Sequence, residues 1–248
     1  MKKLPLFLLI LPLILISCEK RPDAYFSVTP GDPVVGETVF FSNNSANAER
    51  FEWDFGDGYI SEDVNPTHAY MASGSYEVIL TAYSRNGNTS SASLTIDVKI
   101  PTLLEIEVLE YYDEYPVEGA SVRLYPTLSD WDNETNMVYE GYTDTDGKVV
   151  FADLDAQVYY VDVWEATHDN YALRNEDVGF IRTPQVLPNT INRFIAYVDY
   201  VDHGKSAVRR GSEIIVKAPG RIASEKRQAV PYPDNENWKE LYNNSIRK

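Results

Sequence analysis

The chain reads as all-β: two antiparallel β-sandwiches in tandem, behind a short apolar leader and ahead of a C-terminal extension. Three observations carry this reading. Runs such as Phe51-Glu52-Trp53-Asp54-Phe55 alternate apolar and polar side chains, the period of a strand buried on one face. Turn clusters punctuate the runs: Pro30-Gly31-Asp32-Pro33, Gly56-Asp57-Gly58, Asn86-Gly87-Asn88 and Asp144-Thr145-Asp146-Gly147. Pro101 interrupts the pattern after Lys99-Ile100, and the alternation restarts at Leu103, so the break falls between two modules of about a hundred residues or fewer.

The first residues belong to a leader. Lys2 and Lys3 precede an apolar run from Leu4 to Ile16, which is 13 residues long. That is short of the roughly 20 helical residues needed to cross a bilayer and suits the core of a signal peptide. Residues 1–17 are therefore set aside as a signal peptide. The run ends in Leu15-Ile16-Ser17-Cys18, which resembles the lipobox of bacterial lipoproteins. The resemblance implies cleavage before Cys18, acylation of its thiol, and, with Glu19 rather than Asp following, an outer-membrane location facing the periplasm or the cell exterior. Cys18 is the only cysteine in the chain, so no disulfide framework is expected despite export. Burial of acyl chains contributes about 0.8 kcal/mol per CH₂, so several chains on one Cys make a stable anchor to the membrane.

Charge narrows the partners. The formal net charge is −16, and residues 4–201 alone carry 10 Lys and Arg against 32 Asp and Glu. The extension, residues 202–248, holds 10 basic and 6 acidic residues. A body this acidic repels phosphate backbones, so nucleic acid is excluded as a partner.

In the first module, Tyr25-Phe26-Ser27-Val28, Glu37 to Phe41, Phe51 to Phe55, Gly74 to Ala82 and Ala92 to Val98 read as strands. Phe51, Trp53 and Phe55 share the inward face of the central strand, and Tyr76, Val78 and Leu80 that of a later one. Gly56 and Gly58 suit positions of positive φ, with Asp57 accepting from nearby backbone N–H groups. Trp53-Asp54-Phe55-Gly56-Asp57-Gly58, then Asn65-Pro66-Thr67-His68-Ala69-Tyr70, then Gly74-Ser75-Tyr76-Glu77-Val78-Ile79-Leu80 resemble the polycystic-kidney-disease (PKD) domain over residues 24–99. The resemblance implies an immunoglobulin-like sandwich that acts as a spacer or binding module. In such a fold Trp53 fills the space between sheets, and Tyr76 is placed for a tyrosine corner.

The second module, residues 102–201, opens with the alternating Leu103 to Leu109. Pro116 to Tyr125, Glu140 to Phe151, Tyr159 to Glu165 and Ile191 to Val198 supply further strands. Val117-Glu118-Gly119-Ala120-Ser121-Val122 followed by Thr143-Asp144-Thr145-Asp146-Gly147 resembles the carboxypeptidase-regulatory, transthyretin-like and Cna-B-like sandwiches. In Cna-B domains a Lys on the first strand is crosslinked to an Asn on the last. Asn189 and Asn192 are present here but Leu103 to Leu109 contains no Lys, so no such bond is expected. In residues 202–248, Ser212 to Lys217 reads as a strand, and Asp234 caps a helix with Trp238, Leu241, Tyr242 and Ile246 on one face.

No catalytic constellation is visible. There is no Gly-x-Ser-x-Gly elbow, and His68, His168 and His203 lack the paired spacing of a zinc site. Asp144 and Asp146 are candidates for Ca²⁺, although an Asp-stabilised turn explains the same residues. Trp131, in Ser129-Asp130-Trp131-Asp132, and Tyr111, Tyr112 and Tyr115, among acids, are the candidate ligand-binding side chains. Aromatics beside carboxylates stack on sugar rings or basic peptides, and the competing reading folds Trp131 back as a lid on the sandwich. Trp53, Asp54, Phe55, Gly56, Asp57 and Gly58 are assigned to structure. The expectation is a non-enzymatic lipoprotein of the outer membrane that binds a glycan or protein ligand. The alternative is an assembly role in which the sandwiches are spacers and the tail contacts a partner in an envelope complex.

Overall fold

A computed structural model describes residues 20–171, 173–202, 213–214 and 237–247. The leader with Cys18, His203, Asp234 and most of the extension lie outside these residues. The chain is all-β with few helices. It divides into two compact units. One comprises the segment up to Pro33 with Glu37–Tyr70 and Ser75–Asp97; the other runs from Val98 onward and includes Val34–Gly36 and Met71–Gly74.

The first unit contains β1 (Phe26–Thr29), β2 (Val39–Asn43), β3 (Arg50–Asp54), β4 (Ile60–Ser61), β5 (Thr67–His68), β6 (Gly74–Tyr83) and β7 (Thr89–Val98). They form a three-stranded sheet ordered β1-β2-β5 and a four-stranded sheet ordered β4-β3-β6-β7. Trp53 on β3 closes the space between them. Its ring meets Phe26 and Phe41 edge-on, at 5.1 and 5.6 Å between centroids, and its indole N–H donates to Asp63 O at 2.9 Å. Full burial of each Phe contributes about 1.5–3 kcal/mol, and the bonded indole adds no unsatisfied donor to the core.

The turn after β3 is built by the predicted residues. Asp54 Oδ1 accepts from Gly56 N–H and Asp57 Oδ1 from Tyr59 N–H, at 2.9 and 3.2 Å. Gly56 has φ +81°, and a Cβ there would stand 2.7 Å from Glu77 O, so close strand approach as well as handedness requires glycine. The Tyr70 hydroxyl returns to the backbone, donating to Phe55 O at 3.1 Å. Tyr76 stacks on the Tyr70 ring at 4.5 Å and is half-buried. Burial, followed by the Asp57 charge, pushes the Tyr70 phenol far above its ordinary range, so it stays a donor.

The second unit contains β8 (Leu103–Glu110), β9 (Ser121–Tyr125), α1 (Leu128–Asn133), β10 (Tyr139–Tyr142), β11 (Lys148–Ala152), β12 (Tyr160–Glu165), β13 (His168–Asp169), β14 (Ile191–Asp202), β15 (Glu213–Ile214) and α2 (Trp238–Asn243). The strands follow one path, β10-β9-β12-β13-β14-β8-β11, with β15 on β14. The two-residue β13 joins two three-stranded halves that share a single core. That core includes Ile106 and Phe194 from one half, and Val122 and Val161 from the other. Between the strands described, one pairing departs from the expected antiparallel arrangement: β14 runs parallel to β8, with Ile191 opposite Leu103 and Val198 opposite Glu110. Some eighty residues lie between them, far more than the dozen a parallel crossover needs.

Asn192 Nδ2 donates to Leu103 O, and Asn192 Oδ1 accepts from Leu187 N–H, so this amide anchors β14 to backbone. The described part of the extension packs on the same unit. Trp238 is buried with Leu103, Val150 and Ile191, and Ile246 pairs with β11 through Ile246 N–H to Val150 O and Ala152 N–H to Ile246 O. Asn237, which makes no side-chain cap bond, stands at the N-cap of α2.

Candidate functional site

The residues singled out in the second unit separate into core and surface. Thr127 caps α1 by accepting from Asp130 N–H, and one turn later Trp131 enters the core. Its indole N–H donates to Val161 O at 3.0 Å, its face stacks on Tyr171 at 5.6 Å, and Arg174, ion-paired with Asp132, lies 5.4 Å over the ring. Trp131 is wholly buried and presents no face to a ligand. The lid reading holds, and the assignment of Trp131 to a ligand surface is corrected. Tyr111 is also core, packed with Leu173, Phe180 and Tyr197, and is corrected likewise. Tyr111 lies two positions after Leu109 and shares its face, packing in the same cluster with Ile195 and Tyr197. Tyr112 packs partly against that cluster, so only Tyr115 of the three stands in solvent, 42% exposed.

Asp144 and Asp146 form a turn. Asp144 Oδ1 accepts from Asp146 N–H and Lys148 N–H, both at 2.9 Å. Its oxygen is already committed to backbone, and among the described residues no group of three or more His, Cys, Asp or Glu is placed to hold a metal. The Ca²⁺ assignment therefore finds no ligand set around these two carboxylates.

Tyr115 belongs to an array that crosses three elements. Tyr115 Oη lies 2.7 Å from His168 Nε2, and His168 Nδ1 lies 3.0 Å from Glu165 Oε2. Thr167 adds its N–H and hydroxyl to the same carboxylate oxygen, at 2.9 and 3.0 Å. Burial alone pushes the Glu165 carboxyl up, but the bonds from His168, Thr167 and the Ala166 backbone outweigh it and hold it below its ordinary range. An ionised Glu165 accepts from Nδ1–H, and in a neutral imidazole Nε2 is then the acceptor for the Tyr115 hydroxyl. Tyr200, directly across the β13–β14 pair from His168, places its ring edge-on to the same imidazole at 5.6 Å. His168, Glu165 and Tyr200 were not singled out by the sequence beyond the histidine itself. The only trace is the Glu165-Ala166-Thr167-His168 spacing.

A different surface lies on the first unit. Tyr25, Ser27 and Thr29 alternate outward along β1, and Phe40, Ser42 and Asn44 along β2, all exposed. The register sets Ser27 opposite Ser42, and both Thr29 and Thr67 opposite Phe40. The Asn44 backbone N–H donates to Tyr25 O at 2.8 Å, and its side-chain amide to Ser27 Oγ at 3.3 Å and Ser42 O at 3.1 Å. Tyr25 and Phe40, 62% and 57% exposed, bound a strip of hydroxyls and an amide that carries no charge. Four strand residues separate Tyr25 from the level of Phe40, about 13 Å.

The model of the PKD domain matches residues 21–100. This stretch is a PKD domain. Collagenase ColQ1 of Bacillus cereus (strain Q1) is 36% identical over 83 residues, which are 32% of this chain and 9% of the collagenase. The chain thus spans about a tenth of that relative's length. The crystal structure of the PKD1 domain of Vibrio anguillarum Epp is 30% identical, covering 34% of this chain and 99% of that one, with a TM-score of 0.30. The major pilin subunit BcpA of Bacillus cereus is similar over 73% of this chain and 71% of its own, at 9% identity and a TM-score of 0.39. At that level it assigns the second unit to no family. In the PKD domain, the Trp53–Gly58 motif is accounted for by core and turn, and the uncharged outer strip takes part in neither.

Proposed function

We propose that this chain is a lipid-anchored, non-enzymatic binding module, held at the outer membrane by acylated Cys18, whose PKD domain takes a neutral glycan on the outer face of β1, β2 and β5. The single observation that carries the reading is the uncharged strip bounded by exposed Tyr25 and Phe40 within a chain of net charge −16. Pyranose rings stack their C–H faces on aromatics, and their hydroxyls exchange hydrogen bonds with Ser, Thr and Asn. No buried charge has to be desolvated. The leader and Cys18 support export and anchoring. The assembly reading is less favoured, because Trp238 and Ile246 of the extension are used by the chain's own second unit.

The test is a glycan array probed with the mature protein. Binding of neutral oligosaccharides by the wild type, lost in Tyr25→Ala/Phe40→Ala, supports the proposal. An array on which both proteins bind alike, or neither binds, overturns it. Anchoring is read separately: Cys18→Ser moves the protein from the membrane to the soluble fraction, and unchanged partition contradicts the anchor.

A further inference from the structure

The Tyr115–His168–Tyr200 group has a chemistry opposite to that of the strip on the PKD domain. Two half-exposed phenol rings, 42% and 44%, stand at 5.8 and 5.6 Å from one nearly buried imidazole, each close to perpendicular to it. With a neutral imidazole, Tyr115 donates its hydroxyl proton to His168 Nε2 and offers solvent the lone pairs of Oη. His168 is fixed from behind by Glu165, whose carboxylate is itself held by Thr167. The β8–β9 loop brings exposed Asp113 and Glu114 beside Tyr115 in sequence, and Asp113 contributes, with Glu110 and Glu165, to the negative potential at the phenol. The electron-rich ring faces, the acceptor oxygen and the carboxylates all favour a cationic hydrogen-bond donor and repel an anion. Among the described residues, no Lys or Arg stacks on either Tyr115 or Tyr200.

We infer that Tyr115, Tyr200 and the Glu165-anchored His168 form a recognition site for a lysine or arginine side chain of a basic segment on a partner protein. The guanidinium or ammonium group lies against the tyrosine faces, donates to Tyr115 Oη, and meets the Asp113 carboxylate at the rim. The net charge of −22 over residues 4–201 steers such a segment toward the unit. A desolvated cation–π contact and one charge-assisted hydrogen bond are each worth a measurable fraction of a modest peptide affinity. The site is independent of the glycan reading, which rests on other residues in the other unit.

The experiment is calorimetric titration of the full mature chain with a synthetic decapeptide containing two arginines and two lysines. The control is the same peptide with citrulline and norleucine in their places. The expected result is saturable binding of the basic peptide that weakens at least tenfold for the control, at least fivefold in Tyr200→Ala, and by a smaller factor in Tyr115→Phe. Tyr25→Ala/Phe40→Ala leaves peptide affinity at the wild-type value. Tyr115→Phe keeps the ring and removes the hydroxyl, both its acceptor oxygen and its bond to His168 Nε2, so it reports on the site even where Tyr115→Ala perturbs the loop. Equal binding of the two peptides, wild-type affinity in Tyr200→Ala, or no saturable binding by the wild-type protein overturns the inference.

Discussion

Trp53 and Trp131 do the same work in the two units by different local routes. Each is fully buried, and each donates its indole N–H to a backbone carbonyl, Asp63 O in one unit and Val161 O in the other. Trp53 reaches the core from a strand, where the period of two delivers it inward between Phe51 and Phe55. Trp131 reaches it from a six-residue helix inserted between two strands, under Arg174 and against Tyr171. A tryptophan among polar residues is therefore no sign of a binding surface when a capped helical turn rotates it by 100° per residue into the core. Among the rings left in solvent, Tyr25, Phe40 and Tyr200 lie on or beside strands, and Tyr115 lies on a loop pinned by a histidine.

The largest effects come from breaking the shared feature. Trp53→Ala and Trp131→Ala each lower unfolding free energy by about 3–5 kcal/mol, read from urea denaturation. A loss under about 1 kcal/mol at Trp131 would show that the helix is not part of the core. Smaller, and specific to the PKD domain, is the contrast between its two turn glycines. Gly56→Ala meets both positive φ and a backbone oxygen 2.7 Å from the new Cβ, whereas Gly58→Ala meets positive φ with nothing within 4 Å. Gly58→Ala costs about 1 kcal/mol and Gly56→Ala at least about 1 kcal/mol more, so equal costs would remove the close approach from the account. Thr127→Ala, which takes the cap from α1, costs about 1 kcal/mol and leaves Trp53 fluorescence unaltered.

How far the fold was legible follows from these same residues. The motif around Trp53 was readable because every contact is set by alternation and by turns within a few residues, as in Asp54 to Gly56 and Asp57 to Tyr59. The helix at Trp131 left one trace, Thr127 three residues ahead of Asp130, a capping pair that reads as loop when no long apolar run follows. The parallel pairing of β14 with β8 has no local signature, since either direction exposes the same alternation. The Tyr115–His168 contact spans 53 positions and depends on how two residues of β13 bridge the halves of a sheet. The outer strip of the PKD domain was written in the alternation of Tyr25, Ser27 and Thr29 with Phe40, Ser42 and Asn44. It reads as a surface only once the inner face is known to be filled.

The smallest predicted effect concerns acid. The folded-state pKa of Glu165 is lowered, so its ionised form stabilises the fold above the ordinary value near 4.5. That contribution is lost as the pH falls through the lower folded value. Thermal unfolding followed from pH 6 downward therefore shows a drop in Tm for wild type that is shallower in Glu165→Gln. Parallel curves would mean that Glu165 is not held by His168 and Thr167.

On the proposed assignments the two units carry surfaces of opposite selectivity, uncharged on the PKD domain and cation-seeking on the second unit. The most direct test is a single set of titrations, in which wild type, Tyr25→Ala/Phe40→Ala and Tyr115→Phe/Tyr200→Ala each meet a neutral oligosaccharide chosen from the array and the basic decapeptide. The first double variant is expected to lose only the oligosaccharide and the second only the peptide. Loss of both ligands in one variant, or of neither in both, would contradict it.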